Sequence, residues 1–251
     1  MVNGILKFKE FFSGFNDSYV LIGGVACDIL ISEVGFKFRV TKDFDIILIV
    51  DTKNKEFFKG FKGFIKQGKY DKEETDKKVY YRFSKPENPD FPHQIEIFSR
   101  NMEMFKGKDD FRIIPVADIS SLSAIVMDND YYNFTLNNSL IKDDLRIASL
   151  ETLILLKAKA FLDMRERKIK GEKLDSKNIK KHRSDIIRLS ILLSEERSVQ
   201  IPEVLKEDIH RFVEYMENEQ IDYKSILKYM GAPIITLDKI INRIKSVFDI
   251  K

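Results

Sequence analysis

Two aspartates separated by a single residue are the feature of this sequence most indicative of chemistry. Asp43 and Asp45 open an apolar run that ends at Val50. In a β-strand, residues i and i+2 project from the same side, so we expect both carboxylates to lie side by side. Carboxylates held this close repel each other, and a divalent cation bound between them relieves the repulsion. The pair therefore predicts a metal-binding site at the start of a buried strand.

A glycine pair lies upstream of these aspartates. Gly23 and Gly24 follow the apolar run Tyr19–Ile22 and precede a helix-length segment. Because glycine has no Cβ, the backbone there can approach a phosphate at the start of a helix, where free N–H groups favour anions. A tight strand-to-helix turn would use the same two residues, so the glycines alone leave both interpretations open. Together with the aspartates, they are typical of phosphoryl-type transfer.

A third acidic residue, Glu96, lies in the middle of the apolar segment His93–Phe98. A carboxylate among strand hydrophobics costs free energy unless it is paired or bound to a metal. We therefore expect Glu96 to join the two aspartates as a catalytic residue and metal ligand. Taken by itself, Glu96 would fit a solvent-facing alternation equally well.

Composition places few limits on function. The 251 residues include 43 basic and 40 acidic side chains, a balance that does not indicate nucleic-acid binding by itself. The single cysteine, Cys27, excludes an internal disulfide, and we expect it to be buried. No apolar run reaches the roughly 18 residues of a membrane span, and the N-terminus lacks the core of a signal peptide. We expect a cytoplasmic protein with no membrane partner.

The periodicity of apolar residues predicts an α+β protein, with an α/β domain over residues 1–145 and an all-helical domain over 146–251. Its predicted strands are Tyr19–Ile22, Phe44–Val50, Val79–Phe83, His93–Phe98, Arg112–Val116 and Leu122–Met127, with a hairpin through Tyr131–Leu136. Its predicted helices are 5–13, Val25–Glu33, Lys53–Gln67, Ser149–Lys170, Ser176–Leu193, Pro202–Glu217, Tyr223–Met230 and Leu237–Val247. Phe57, Phe58, Phe61 and Phe64 recur at helical spacing and predict core packing.

The order of these motifs resembles the polymerase-β-type nucleotidyltransferase superfamily, and within it the AbiEii/AbiGii toxin-like branch. Gly23-Gly24 followed by Arg39-Val-Thr-Lys-Asp43-Phe-Asp45 is similar to that branch's GG-helix-R-x-(T/S)-x-D-x-D element. Lys157-Ala-Lys-Ala160 with Arg165 is similar to its K-x-x-A…R helix, and Lys181-His182-Arg-Ser-Asp185 to its later K-(D/H)-x-x-D helix. The resemblance covers residues 19–50, 93–99 and 149–193.

The resemblance implies a nucleotidyltransferase fold, in which a mixed β-sheet flanked by helices is followed by a helical half. It implies an enzyme that moves a nucleoside monophosphate from an NTP to an acceptor hydroxyl, such as a tRNA 3′ end, with a cognate antitoxin as a further partner. Mg²⁺, or Mn²⁺, would occupy a two-metal site formed by Asp43, Asp45 and Glu96. The implied nucleotide-binding residues are Gly23, Gly24, Arg39, Thr41, Lys157, Lys181 and Asp185.

Alternatives stay open at this point. The acceptor could be a small molecule such as an aminoglycoside, and a non-catalytic nucleotide- or partner-binding module would carry the same fold. Arg39 fits a surface salt bridge as well as a phosphate contact. Asp185, one helical turn after Lys181, predicts an intrahelical ion pair, or else a residue that orients Lys181 toward the cleft. The basic segment Lys168–Arg183 favours a solvated loop over an RNA-tracking surface.

Overall fold

The computed structural model describes residues 2–49, 55–70, 81–98 and 128–250. It has an α+β architecture with a mixed six-stranded sheet flanked by helices. Its strands are β1 Tyr19–Ile22, β2 Asp43–Leu48, β3 Tyr81–Ser84, β4 Gln94–Phe98, β5 Ser139–Lys142 and β6 Leu145–Ala148. Its helices are α1 Ile5–Phe12, α2 Gly23–Glu33, α3 Lys55–Gly68, α4 Asn129–Asn137, α5 Leu150–Ile169, α6 Ser176–Ser190, α7 Glu203–Asn218, α8 Tyr223–Met230 and α9 Leu237–Phe248.

The strand pairing brings four strand ends together at one edge of the sheet. The strand order is β3-β4-β2-β1-β6-β5. β2 runs antiparallel to β1 and parallel to β4, while β1 and β6 are parallel. The carboxyl ends of β1 and β6 therefore lie beside the amino ends of β2 and β4. We call this the carboxylate edge, because Asp43, Asp45 and Glu96 all lie in the first half of β2 or β4.

Two helices of the C-terminal half cover the carboxylate edge. α5 begins directly after β6, where the Ser149 hydroxyl accepts a hydrogen bond from the Thr152 N–H, so the predicted N-cap is confirmed. α6 runs antiparallel to α5, since Lys157 contacts Asp185 near the sheet and Lys168 contacts Ser176 far from it. The sheet itself extends to Ala148, and the regular structure after that residue is helical. The division into domains at residue 145 stays a prediction.

The predicted hairpin through Tyr131–Leu136 is wrong, because these residues lie in α4. The Asp128 carboxylate accepts hydrogen bonds from the Asp130 and Tyr131 N–H groups, and this N-cap offsets the β-preference of the tyrosines. The hairpin is instead formed by β5 and β6, whose turn at 143–144 has two residues with positive φ. The predicted strands Arg112–Val116 and Leu122–Met127 lie outside the described residues.

The buried hydrophobic residues of both halves form one contiguous cluster. Phe57, Phe61 and Phe64 are buried and Phe58 is partly buried against them, so the predicted core role of α3 is confirmed. Cys27 is also buried, as expected for a small apolar residue in α2. In the ranges that the structure describes, no helix combines the length and apolar character that a membrane crossing needs.

Candidate functional site

Three predicted carboxylates line one cleft of about 350 Å³. Asp45 is the register partner of Glu96 across β2 and β4, and Asp43 lies two residues earlier on the same strand. Asp45 and Glu96 are buried, whereas Asp43 is partly exposed. The strand register, and not proximity in sequence, brings Glu96 beside the aspartate pair.

The negative charges of these carboxylates repel one another. Burial, and then the neighbouring carboxylates of Glu96 and Asp43, raise the pKa of Asp45 to about 8. Burial also raises the pKa of Glu96, against the opposing effect of the Arg82 guanidinium. Asp45 receives no hydrogen bond or ion pair from any residue in the described ranges, although Lys157 and Lys181 lie close enough to lower its pKa. A bound cation would relieve this repulsion.

Glu96 is held by two neighbouring side chains. Arg82, its register partner on β3, donates to Glu96 Oε1 from Nε at 2.8 Å and lies 2.7 Å from it through Nη2. Gln94 Nε2 donates to the same oxygen at 3.0 Å. Sequence reasoning missed Arg82, because only the β3–β4 register shows that it faces Glu96.

The donor chemistry of the cleft fits a hard divalent cation. Carboxylate oxygens are the ligands that Mg²⁺ prefers, and Asp43 and Asp45 would hold it, with Glu96 as the third candidate ligand. Across residues 2–49, 55–70, 81–98 and 128–250, no group of three acidic, histidine or cysteine side chains is arranged so as to hold a metal ion. Glu96 instead forms an ion pair with Arg82.

The glycine pair serves the close packing of this edge. Gly23 has a positive φ of 66°, and a Cβ at this residue would lie 1.7 Å from Asp45 Oδ2. A Cβ at Gly24 would lie 2.2 Å from the hydroxyl oxygen of Thr41. Thr41 packs here but does not line the cleft, whereas both glycines do. The tight strand-to-helix turn is therefore present, and it places the N-terminus of α2 directly beside the Asp45 carboxylate.

A second charged group, the Asp185 cluster, consists of Asp185, Arg39, Lys157 and Arg188. Arg39 binds the fully buried Asp185 carboxylate through two hydrogen bonds, Nε to Oδ1 at 2.8 Å and Nη2 to Oδ2 at 2.7 Å. Lys157 Nζ donates to Oδ2 at 2.9 Å and Arg188 Nη1 to Oδ1 at 3.1 Å. Burial alone would raise the pKa of Asp185, but Lys157 and Arg39 hold it well below its usual range.

This cluster changes the roles predicted for three residues. Asp185 forms no ion pair with Lys181, so that predicted intrahelical pair is wrong, and its partners come from three different segments of the chain. Arg39 forms a bidentate contact with a protein carboxylate. Both Arg39 and Lys157 nevertheless line the cleft. Three cations surround one carboxylate, so the cluster carries an excess of two positive charges.

Lys181 is the predicted lysine whose ammonium group stays available. It is half-buried, lines the cleft and pairs with no acidic residue that the structure describes. Burial, followed by repulsion from Arg39 and Lys157, lowers its pKa. An anion bound in the cleft would supply the missing partner.

Sequence reasoning also missed Arg188 and Asn178. Arg188 lies three residues after Asp185 on α6, and this i,i+3 spacing was a usable signal for a pair. Asn178 lines the far end of the cleft, and nothing in its sequence context distinguishes it from an ordinary exposed helix residue.

No family model, no curated protein and no solved structure matches this chain. The resemblance to nucleotidyltransferases therefore stays a prediction that depends on the motif residues themselves.

Proposed function

We propose that this chain has a nucleotidyltransferase fold and transfers a nucleoside monophosphate from an NTP to an acceptor hydroxyl with the help of Mg²⁺. One observation carries the proposal: carboxylates and an ammonium group that have no hydrogen-bond or ion-pair partner in the described part of the chain face the same cleft. Asp43 and Asp45 line it from the sheet, and the unpaired Lys181 lines it from α6. A metal ion with a triphosphate is a ligand that satisfies both signs at once.

The residues of the cleft have three roles: holding the metal ion, binding phosphate and accepting a proton. Asp43 and Asp45, with Glu96, would hold Mg²⁺, which neutralises negative charge on the phosphates when it is bound. Lys181 and the free N–H groups at the start of α2 bind phosphate oxygens. Glu96, whose pKa is raised by burial, accepts the proton of the attacking hydroxyl on its carboxylate. The hydroxyl oxygen bonds to the α-phosphorus, and the bond from that phosphorus to the β-phosphate breaks and releases pyrophosphate. The excess positive charge of the Asp185 cluster favours the polyanion.

The acceptor in this proposal is the 3′ end of a tRNA, as the resemblance implies, and a cognate antitoxin is the expected protein partner. The direct test is to incubate the purified protein with each α-labelled NTP, Mg²⁺ and total tRNA. Asp43→Asn and Asp45→Asn should abolish label transfer, while Asp90→Asn, an exposed aspartate outside the cleft, should not.

The alternatives are distinguished by repeating this assay with small hydroxyl compounds and with protein in place of tRNA. Transfer to a small hydroxyl compound such as an aminoglycoside, and not to tRNA, would support the proposed reaction but refute tRNA as its acceptor. Binding of NTP without transfer to RNA, protein or small molecules would refute the proposed transferase activity and favour a non-catalytic binding module.

A further inference from the structure

The end of the cleft far from the carboxylate edge has a different chemistry. Its walls come from α5 and from the segment that leads into α6, with Met164, Arg167 and Leu174 as the lining residues. Leu153 and Leu156 face the cleft close to the Asp185 cluster, while Met164 lies two turns further along α5. Arg167, the charged residue of this end, pairs with Glu172 at 2.7 Å, and Met164 and Leu174 supply apolar surface.

The antiparallel packing of α5 and α6 fixes the order of groups along the cleft. Asp185 marks the end near the sheet, and Lys168 with Ser176 marks the other. With a rise of about 1.5 Å per residue, Asn178 lies about 10 Å from Asp185 along α6. His182 lies between them, on the same face of the helix. The cleft of about 350 Å³ continues past Lys181 to Asn178, about 4.5 Å further from the sheet along the helix axis.

Two polar groups border the apolar walls. Asn178 is exposed, and its side-chain amide makes no hydrogen bond with the residues that the structure describes. His182 Nδ1 is shielded from solvent and has no hydrogen-bond partner in the same part of the chain. Burial, and then Lys157, lower the pKa of His182 to about 3, so its ring is neutral and offers one donor and one acceptor. A shielded polar atom without a partner destabilises the folded state until it gains one.

We propose that this far end binds the nucleobase of the NTP, and that Asn178 and His182 select the base by hydrogen-bonding to its polar edge. The inference rests on the proposed function, since it assigns a subsite of the same cleft. A nucleobase has flat apolar faces and a rim of donors and acceptors, which matches apolar walls with a few convergent polar groups.

The test measures binding separately from transfer. Calorimetric titrations with Mg²⁺ compare inorganic tripolyphosphate with the four NTPs for the wild type and for Asn178→Ala and His182→Leu. We expect the wild type to favour one base and each variant to lose about tenfold in affinity for that NTP. Tripolyphosphate should bind all three proteins equally. Asn242→Ala, an exposed asparagine on α9 outside the cleft, is the matched control and should change nothing.

Each outcome bears on the inference in a distinct way. If the wild type binds all four NTPs no more tightly than tripolyphosphate, or if Asn178→Ala leaves the base preference unchanged, the far end does not read the base. In that case the proposed function still stands. If the wild type binds neither the NTPs nor tripolyphosphate, the proposed function and the inference both fail. Because Asn178 is exposed, its variant keeps the test decisive if His182→Leu does not fold.

Discussion

Replacing Asp185 with asparagine is expected to lower the free energy of unfolding by about 3–5 kcal/mol, as when one partner of a buried ion pair is removed. Asp185 is fully buried and accepts four hydrogen bonds from Arg39, Lys157 and Arg188. Asparagine keeps the shape of the side chain but removes its charge, so three cations remain without compensation. The expected loss is a large fraction of the roughly 5–15 kcal/mol that stabilises a typical globular protein.

Urea denaturation followed by far-ultraviolet circular dichroism measures this effect, because the chain has no tryptophan to report by fluorescence. Asp90→Asn is the control, since Asp90 is exposed and makes no ion pair with the described residues. The control should stay within about 0.5 kcal/mol of the wild type, as is usual for surface substitutions.

A second substitution separates the loss of charge balance from a general packing defect. Adding Lys157→Met to Asp185→Asn removes one of the uncompensated cations. The double variant should therefore be more stable than the sum of the two single effects predicts, by about 0.5–3 kcal/mol. Simple additivity would refute the reasoning, and so would an Asp185→Asn variant within about 1 kcal/mol of the wild type, the value of an exposed ion pair.

Three further predictions concern the carboxylate edge. In protein treated with a chelator, the wild type should lose stability as pH rises from about 4 to about 8, because the folded state raises the pKa of Asp45 to about 8 and so favours its protonated form. Asp45→Asn should lack this loss, and parallel pH profiles of the two urea midpoints would contradict the expectation. Gly23→Ala would place a Cβ 1.7 Å from Asp45 Oδ2 at a residue with positive φ. It should therefore lower the free energy of unfolding by about 1–3 kcal/mol in the urea assay and abolish label transfer. A fully active, stable variant would show that the carboxylate edge can rearrange. Lys181→Ala should weaken tripolyphosphate binding about tenfold or more in calorimetry, because a charged hydrogen bond is lost. Lys180→Ala, on the exposed face of the same helix, should leave the affinity unchanged. Equal effects of the two substitutions would mean that Lys181 has no particular role in binding.

Local patterns in the sequence were sufficient for most elements. The apolar runs of β1 and β2, the helical spacing of the α3 phenylalanines and the Ser149 N-cap each depend on near neighbours in the chain. The α4 helix was missed for a related reason. Its tyrosines and threonine favour strands, and the Asp128 cap that offsets this preference lies three residues before the predicted hairpin begins at Tyr131.

The candidate site could be predicted only in part, because its contacts join distant segments. The carboxylate pair follows from the period of a strand, but the approach of Glu96 depends on the β2–β4 register. The partner of Asp185 was predicted one turn away on the same helix, whereas its bidentate partner, Arg39, lies 146 residues earlier in the chain. Helical spacing identifies which groups could pair, and tertiary packing decides which of them do.

The pairing that does not form is the strongest argument for a ligand in this cleft. The field of Lys181 lowers the pKa of Asp45 and the field of Asp45 raises that of Lys181, so the two groups lie close enough to interact. Yet they form no ion pair in the described part of the chain, although the neighbouring Asp185 binds three cations. A cleft shaped for stability alone would bring Asp45 and Lys181 together, because uncompensated buried charges are costly. Under the proposed function, their separation leaves space for a ligand that carries both signs, as a metal-bound polyphosphate does.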